Sequence, residues 1–319
     1  MPPEALFSRD VHDFRAALTR VQKNAIKSPL IDAGIAGREL RLKAENLQPG
    51  GAFKIRCATN IVEQLSAGQL RGGIVTASAG NFAPAVAMAA ARHRVPVTCH
   101  VPANAAAVKL AALERLGVAV VPHPFEDWWR IMATRDAGAG AGLFLHPVCE
   151  VDGMVGNGTI ALELLQDWPE LDTVVVPFGG GGLICGIAAA MRRLKPGVRI
   201  VACELDAAAP LRAARDAGRP VRIARRATFA NGPGEQSVLD AMWPLLRDLV
   251  DEVIVVPEED AVAAFRRLVL DHHLVVEAQT AIAFAAALTP ALEDRKVAVI
   301  LSGGNIDRDA LVRNLALTK

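Results

Sequence analysis

The chain has 319 residues, 52% of them hydrophobic, and a mean hydropathy of +0.27, which supplies core for two domains or one large α/β unit and excludes a disordered polypeptide. Its 35 basic and 34 acidic side chains nearly cancel, leaving +1, and no basic run interleaved with aromatics marks a nucleic-acid partner. Met1–Asp10 has no basic-then-apolar leader pattern, no apolar run reaches membrane-spanning length, and the five scattered cysteines have no metal spacing, so the expectation is a cytoplasmic protein with reduced core thiols.

Val11–Ile26 has amphipathic helical spacing, and Ser28-Pro29-Leu30 breaks it. Arg38–Ala44 predicts a short strand. Pro49, Gly50 and Gly51 end it, and a helix is expected over Gly50–Leu65, packed on both sides through Phe53, Ile55, Cys57, Ala58, Ile61, Val62 and Leu65. Lys54 lies in the opening turn. A lysine there is desolvated and feels the positive helix terminus, and both effects favour the neutral, nucleophilic amine that forms Schiff bases with carbonyls. The alternative is a lysine whose stem follows apolar surface while its ammonium reaches water.

A βα rhythm follows. Strands are expected at Gly73–Ala77, Val97–Val101, Val118–Val121 and Leu143–His146, with helices at Gly80–Arg92, Ala105–Leu116 and Phe125–Ala137. Such alternation predicts parallel strands with helical crossovers. The stretch from Cys149 to Gly158 reads as irregular, then helical through Gln166. The strand Thr173–Pro177 runs into Gly179–Gly182, before the helix Leu183–Leu194 and the strand Arg199–Cys203. Arg215–Gly234 reads as loose. A helix over about Glu235–Leu246, the strand Glu252–Val256, the helices Glu259–His272 and Glu277–Leu288, the strand Val297–Leu301 and the helix Asp307–Leu315 complete the chain.

Glycine-bearing turns follow predicted strands at Ser78–Asn81, Gly179–Gly182 and Ser302–Asn305. Ligands gather at the carboxyl ends of parallel strands, so these turns are expected to share one crevice. Gly179–Gly182 carries the strongest signal: successive N–H groups at a helix start suit a phosphate. The spacing fits neither GxGxxG nor a nucleoside triphosphate loop, and a plain tight turn is the alternative. A Schiff-base lysine with a separate phosphate cradle is what pyridoxal 5'-phosphate requires.

Motifs in fixed order carry a resemblance: SPL at 28–30, LKAENLQPGGAFKIR at 42–56, TASAGNFAPAVA at 76–87, HP at 146–147, GNGTIALELL at 156–165, PFGGGGLICGIA at 177–188, DLVDEVIVVPEEDA at 248–261 and VILSGGNID at 299–307. From about Ser28 to about Asp307 the sequence resembles the serine/threonine dehydratase branch of the fold-type II pyridoxal-phosphate enzymes, which includes serine racemase. The resemblance implies a two-domain, tryptophan synthase β-like α/β fold, each domain an open, mostly parallel sheet flanked by helices. Residues 1–72 and 150–319 would form the large cofactor-binding domain and 73–149 a small mobile one. Lys54 would be the Schiff-base lysine and acid/base at Cα. Phe53 would pack near the ring, Asn81 would bond its phenolic oxygen, Gly179, Gly180, Gly181 and Gly182 would hold the phosphate, and Ser302 would face the pyridine nitrogen, with Glu277 nearby. Ser78, Ala79, Gly80, Asn81 and Phe82 would grip the substrate carboxylate.

The implied reaction is β-elimination from serine, threonine or a bulkier 3-hydroxy analogue, giving a 2-oxo acid and ammonia; the implied assembly is a homodimer. Racemase or β-replacement activity on the same scaffold and a catalytically inactive cofactor-binding protein are the alternatives. Ala79 stands where racemases of the family carry an acid/base serine, and a methyl cannot exchange a proton. Phe82 replaces the usual histidine, Ala52 a serine, Cys57 a glycine and Asn157 a common glutamine, which together point to a divergent substrate. Glu204 matches one ligand of a divalent-cation site found in some relatives, but Pro210 stands where an aspartate is expected, so Glu204 reads as a solvated or ion-paired side chain and no metal is expected. Trp128 and Trp129, adjacent on a helix, are expected to face different ways, with core or interface packing for at least one. His272-His273 reads as a solvated or helix-terminal pair.

Overall fold

A computed structural model describes residues 1–105, 107–138, 140, 142–230 and 236–316. Its strands are β1 (Leu30–Asp32), β2 (Glu39–Lys43), β3 (Ile74–Ala77), β4 (Val97–Pro102), β5 (Ala119–His123), β6 (Leu143–Phe144), β7 (Thr173–Pro177), β8 (Arg199–Leu205), β9 (Glu252–Val256) and β10 (Lys296–Ile300). The helices are α1 (Val11–Val21), α2 (Lys54–Val62), α3 (Ala67–Leu70), α4 (Phe82–Ala91), α5 (Ala107–Arg115), α6 (Phe125–Thr134), α7 (Val151–Asp167), α8 (Gly182–Leu194), α9 (Pro210–Ala217), α10 (Trp243–Leu249), α11 (Glu258–Leu270), α12 (Ala278–Ala287) and α13 (Arg308–Ala316).

Two sheets form. The larger has the order β1-β2-β10-β7-β8-β9 and the smaller β5-β4-β3-β6. Every pairing is parallel except β1 with β2. Side chains alternate across the larger sheet. Val174, Val176, Ile200 and Ile300 pack with α1, α7, α8 and α10 on one face, while Val175, Val201, Val297 and Val299 pack with α11 and α12 on the other. Helix α2 lies between the two halves. It buries every residue from Ile55 to Val62, and its apolar side chains join α4, β3 and β4 in a third core.

The structure corrects the sequence reading in several places. The glycine-bearing stretch before residue 158 is the start of α7 rather than irregular chain. Its glycines are there because helices approach closely: a Cβ on Gly156 would stand 2.6 Å from the Arg56 carbonyl, and one on Gly158 2.5 Å from Phe14. The segment expected to be loose opens inside α9, which ends at Gly218 in the left-handed conformation at φ +67°. Part of the helix expected over 235–246, and residues 231–234 of that loose segment, lie outside the described residues; α10 begins only at Trp243. Leu30, expected to break the chain, opens β1. His272 and His273 follow the end of α11 and His273 is exposed, but the half-buried His272 ring also meets Phe284 edge-on, with centroids 5.4 Å apart.

Candidate active site

Lys54 is the first residue of α2, and the chain leading to it is pinned to the turn after β10. Gly50 and Gly51 adopt φ of +78° and +73°, and a Cβ on Gly51 would fall 2.3 Å from the Asn305 amide oxygen, so both the turn and the close approach require glycine. Phe53 N donates to Ser302 O at 3.0 Å, Gly304 N to Gly51 O at 2.8 Å, and Ala52 bridges Gly303. The Lys54 amine donates to Pro147 O at 2.6 Å and lies 5.1 Å from the Phe53 ring centroid and 5.4 Å from that of Phe82. Burial pulls its pKa below the ordinary lysine value, toward the neutral amine.

The carbonyl that holds Lys54 sits in a segment that sequence reasoning recorded only as a motif. His146 is buried, and its Nδ1 accepts Val148 N and Cys149 N, each at 3.0 Å. That fixes the loop on which Pro147 points at Lys54. Val148 also touches the phosphate-type turn, since a Cβ on Gly180 would be 2.5 Å from its side chain and one on Gly182 2.8 Å from its carbonyl. Burial, with Arg135 and Lys54 adding to it, lowers the His146 pKa to about 4, so the ring is neutral with its proton on Nε2. Burial raises the neighbouring Cys57 and Cys149 thiols to about 11.

Gly179–Gly182 joins β7 to the 13-residue α8, with Gly181 at φ +95° and no side chain capping the helix. A Cβ on Gly179 would meet nothing within 4 Å. This is a bare helix N-terminus with room in front of it, suited to an anion. Asn157 Nδ2 supports the turn by donating to Gly182 O at 3.0 Å.

Across from Lys54, Ser78 N donates to His100 O at 3.2 Å and Ser78 Oγ accepts Gly80 N at 3.2 Å, while a Cβ on Gly80 would meet open space. Asn81 Nδ2 donates to Glu277 Oε1 at 2.8 Å, and Asn305 Nδ2 donates to Asn81 Oδ1 at 2.9 Å and to Gly50 O at 2.7 Å. The side-chain amide of Asn81 has a second N–H, which an oxygen of a ligand could take. Ser302 Oγ lies 3.0 Å from Thr280 Oγ1. The structure thus joins Phe53 with Lys54 and Ser302, and Asn81 with Glu277, whose N–H donates to Gly303 O beside Ser302, and it joins Gly179–Gly182 to Lys54 through the 146–148 loop. Phe82 is fully buried under the lysine. A flat ring with an aldehyde and a phosphate fits what is present: a desolvated primary amine, an uncharged hydroxyl, an amide and an open helix N-terminus.

Sequence reasoning missed the anchor of α2. Arg56, fully buried, grips Glu45 through Nε and Nη2 at 2.8 Å each and Glu163 through Nη1 at 2.7 Å and Nη2 at 2.8 Å. Lys43 Nζ donates to Glu163 at 2.6 Å and to Ser28 O at 2.7 Å. Burial pulls the guanidinium pKa down, but the two carboxylates more than offset it and hold it above the ordinary value. The signal lay in plain view: charged residues at positions 43, 56 and 163, where the apolar pattern calls for core.

Two further readings change. Glu204 is not solvated, and among the described residues it has no ion-pair partner within 4.0 Å. It is buried, and its oxygens accept Leu211 N at 2.8 Å and Arg212 N at 2.9 Å, which caps the start of α9; burial raises its pKa to about 7. Trp128 and Trp129 do line one hollow together, because rings this large reach around the helix and touch, with centroids 6.3 Å apart. Among the described residues no group of three or more His, Cys, Asp or Glu is arranged to hold a metal ion, and no helix is long and apolar enough to cross a membrane.

The chain resembles known proteins over most of its length. A family model described as "Pyridoxal-phosphate dependent enzyme" matches residues 21–303. A serine racemase of Oryza sativa subsp. indica is 34% identical over 321 residues, covering 97% of this chain and 94% of the relative. An L-threonine ammonia-lyase of Thermotoga maritima is 34% identical over 296 residues, covering 92% of this chain and 74% of the relative. The solved structure of maize serine racemase superposes with a TM-score of 0.88 at 33% identity, covering 96% of each chain.

Proposed function

The chain belongs to the pyridoxal-phosphate dependent enzyme family, and from that premise we propose that it is an ammonia-lyase converting a 3-hydroxy amino acid into a 2-oxo acid and ammonia. The observation that carries the reading is the electrostatic setting of Lys54. Its amine is shifted toward the neutral base, while three titratable groups around it are held in neutral forms, His146 with a pKa near 4 and Cys57 and Cys149 near 11. One base, on one face, is what removal of a Cα proton followed by loss of a β-hydroxyl needs. Position 79 offers a methyl group, which serves no second proton exchange and so disfavours racemisation.

Pyridoxal phosphate, when bound, supplies an aldehyde for the amino group and a ring that draws electrons from Cα. Lys54 would hold it and take the Cα proton. Gly179–Gly182 and the start of α8 would hold its phosphate, Asn81 its phenolic oxygen, and Ser302, as an uncharged hydroxyl, its ring nitrogen. Phe53 would pack on the ring with Glu277 beside it, and the Ser78–Phe82 backbone would take the substrate carboxylate. One water leaves the substrate and one is taken up as ammonia departs, so no outside oxidant or reductant is required.

In this reading residues 73–149 form a small domain that closes on the substrate. The Asn81–Glu277 and Asn81–Asn305 bonds support it, since side-chain bonds of that kind can be broken and remade across a cleft. The same reading takes the protein as a cytoplasmic homodimer; the five buried free cysteines support a reducing compartment, and the dimer rests on the family resemblance. The test is to incubate the cofactor-loaded protein with each enantiomer of serine, threonine and bulkier 3-hydroxy amino acids. Equimolar 2-oxo acid and ammonia are expected. Interconversion of enantiomers without ammonia, or no change in the cofactor spectrum with any of them, overturns the proposal.

A further inference from the structure

A hollow of about 500 Å³ beside the carboxyl edge of the smaller sheet has no part in the chemistry above. One wall is the start of α6, where Phe125, Trp128 and Trp129 present their rings. Phe125 and Trp129 are near-parallel, with centroids 6.4 Å apart, and Phe125 and Trp128 are 5.7 Å apart. The other wall is Gln236–Asp240, with Arg222 and Arg225 completing the lining.

Both walls are tied to the active site. Trp128 Nε1 donates at 3.1 Å to His100 O, the same carbonyl that accepts Ser78 N at 3.2 Å. Ala77, immediately before the Ser78–Phe82 loop, packs with Trp128, Ile131 and Met132 of α6. The aromatic wall is therefore anchored to the strand ends that carry the loop that would take the substrate carboxylate. The opposite wall runs into α10, whose Leu246 lies 3.2 Å from where a Cβ on Gly181 would stand, so it is fixed to the phosphate turn. Each wall of the hollow is thus packed against an element that carries part of the site.

Its lining names an occupant. Phe125 and Trp129 leave 47% and 37% of their surface exposed, apolar area that a flat partner would cover. The lining carries two arginines, Arg222 and Arg225, and two carboxylates, Glu126 and Asp240, so its charges sum to zero and give no preference for a phosphate or an acidic side chain. The hydroxymethyl group of serine or the hydroxyethyl group of threonine would leave most of this volume empty. We propose that the hollow is the side-chain subsite of the active site and that the preferred substrates are 3-hydroxy amino acids carrying an aromatic ring on C3, a proposal that rests on the ammonia-lyase reading above.

The test compares kcat/KM for threo-3-phenylserine and L-threonine in the cofactor-loaded protein and in the double variant Phe125→Ala, Trp129→Ala. A ratio taken on one preparation does not depend on how much of a variant is folded. Phenylserine is expected to be preferred, and the double variant to lower that preference about tenfold, equivalent to about 1.4 kcal/mol. Preference for threonine, or a ratio the double variant leaves unchanged, overturns the subsite while leaving the ammonia-lyase reading intact. Failure of every 3-hydroxy amino acid to release a 2-oxo acid instead removes that reading, and a binding measurement then decides the subsite. L-phenylalanine, which has no hydroxyl to lose, should change tryptophan fluorescence more than L-alanine does, and the single variant Phe125→Ala, which keeps every tryptophan, should reduce the difference. Equal responses overturn the proposal.

Discussion

His146 makes a prediction in which pH itself is the perturbation. Two backbone N–H groups point at its Nδ1, from Val148 and Cys149 at 3.0 Å each, so that nitrogen carries no proton in the folded state. Protonation would set a third N–H against those two, in a place where burial, Arg135 and Lys54 already disfavour positive charge. Its pKa falls from 6.5 to about 4. The sign follows from linkage: a histidine depressed in the fold stabilises fully above its unfolded pKa and loses that contribution as pH falls through the folded one. The loss between pH 7 and pH 4 is on the order of 3 kcal/mol. The control is His146→Asn, whose side-chain oxygen can accept from the N–H two residues on, as in an Asx turn, and does not titrate. Urea unfolding of both proteins at intervals from pH 7.5 to pH 4, the range about these pKa values, separates this residue from the carboxylates they share. The wild type should lose stability relative to the variant below pH 6.5 and fall on the order of 3 kcal/mol behind by pH 4. Two curves that stay parallel across the range would refute the account of His146.

Other substitutions probe the remaining supports. Lys54→Met keeps the length and removes the amine: activity should vanish, and borohydride reduction with cofactor, which should tag the wild type at residue 54, should tag no peptide of the variant. Gly180→Ala forces a methyl to 2.5 Å from Val148 and should lower apo-protein stability by about 1–3 kcal/mol in denaturant titrations. Gly179→Ala meets nothing within 4 Å, so its thermal midpoint should hold while cofactor affinity drops about tenfold as the added Cβ crowds the N–H groups. Arg56→Met strands Glu45 and Glu163 without their guanidinium and should cost about 3–5 kcal/mol in the same titrations.

Residues that break a pattern were readable in the sequence, and those that satisfy a partner far along the chain were less so. Lys54 stood out because a cation opens an apolar helix, and Gly179–Gly182 because a plain turn does not need so much backbone freedom. The parallel sheets were readable because strands and helices alternate at short intervals. The first turns of α7 were hidden, because glycine near 153–158 signals irregular chain locally and tight helix contact only once α2 and Phe14 are in place. Helix α9 was hidden because its N-terminal acceptor, Glu204, precedes it by several residues at the end of β8. The shared hollow of Trp128 and Trp129 was misjudged because a helical-wheel angle describes Cβ directions, whereas an indole is long enough to turn back toward its neighbour.

The placement of Lys54 follows from how little holds α2 locally. The helix has no side-chain cap at its start, and its N-cap residue, Phe53, is already in the helical conformation. Nothing in its own first turn sets where the amine points. The constraint comes from elsewhere: Ser302 O fixes Phe53 N, Pro147 O fixes the amine, and Arg56, two residues on, locks the helix to Glu45 before it and to Glu163 on α7. A buried quartet of charges is seldom the most stable way to fill a core, since apolar residues of similar volume often do as well or better. What charges add is direction. A guanidinium forked onto two carboxylates permits one rotation of α2 about its axis, and that rotation is the one that turns Lys54 toward Pro147, on the loop whose Val148 packs against Gly180 and Gly182.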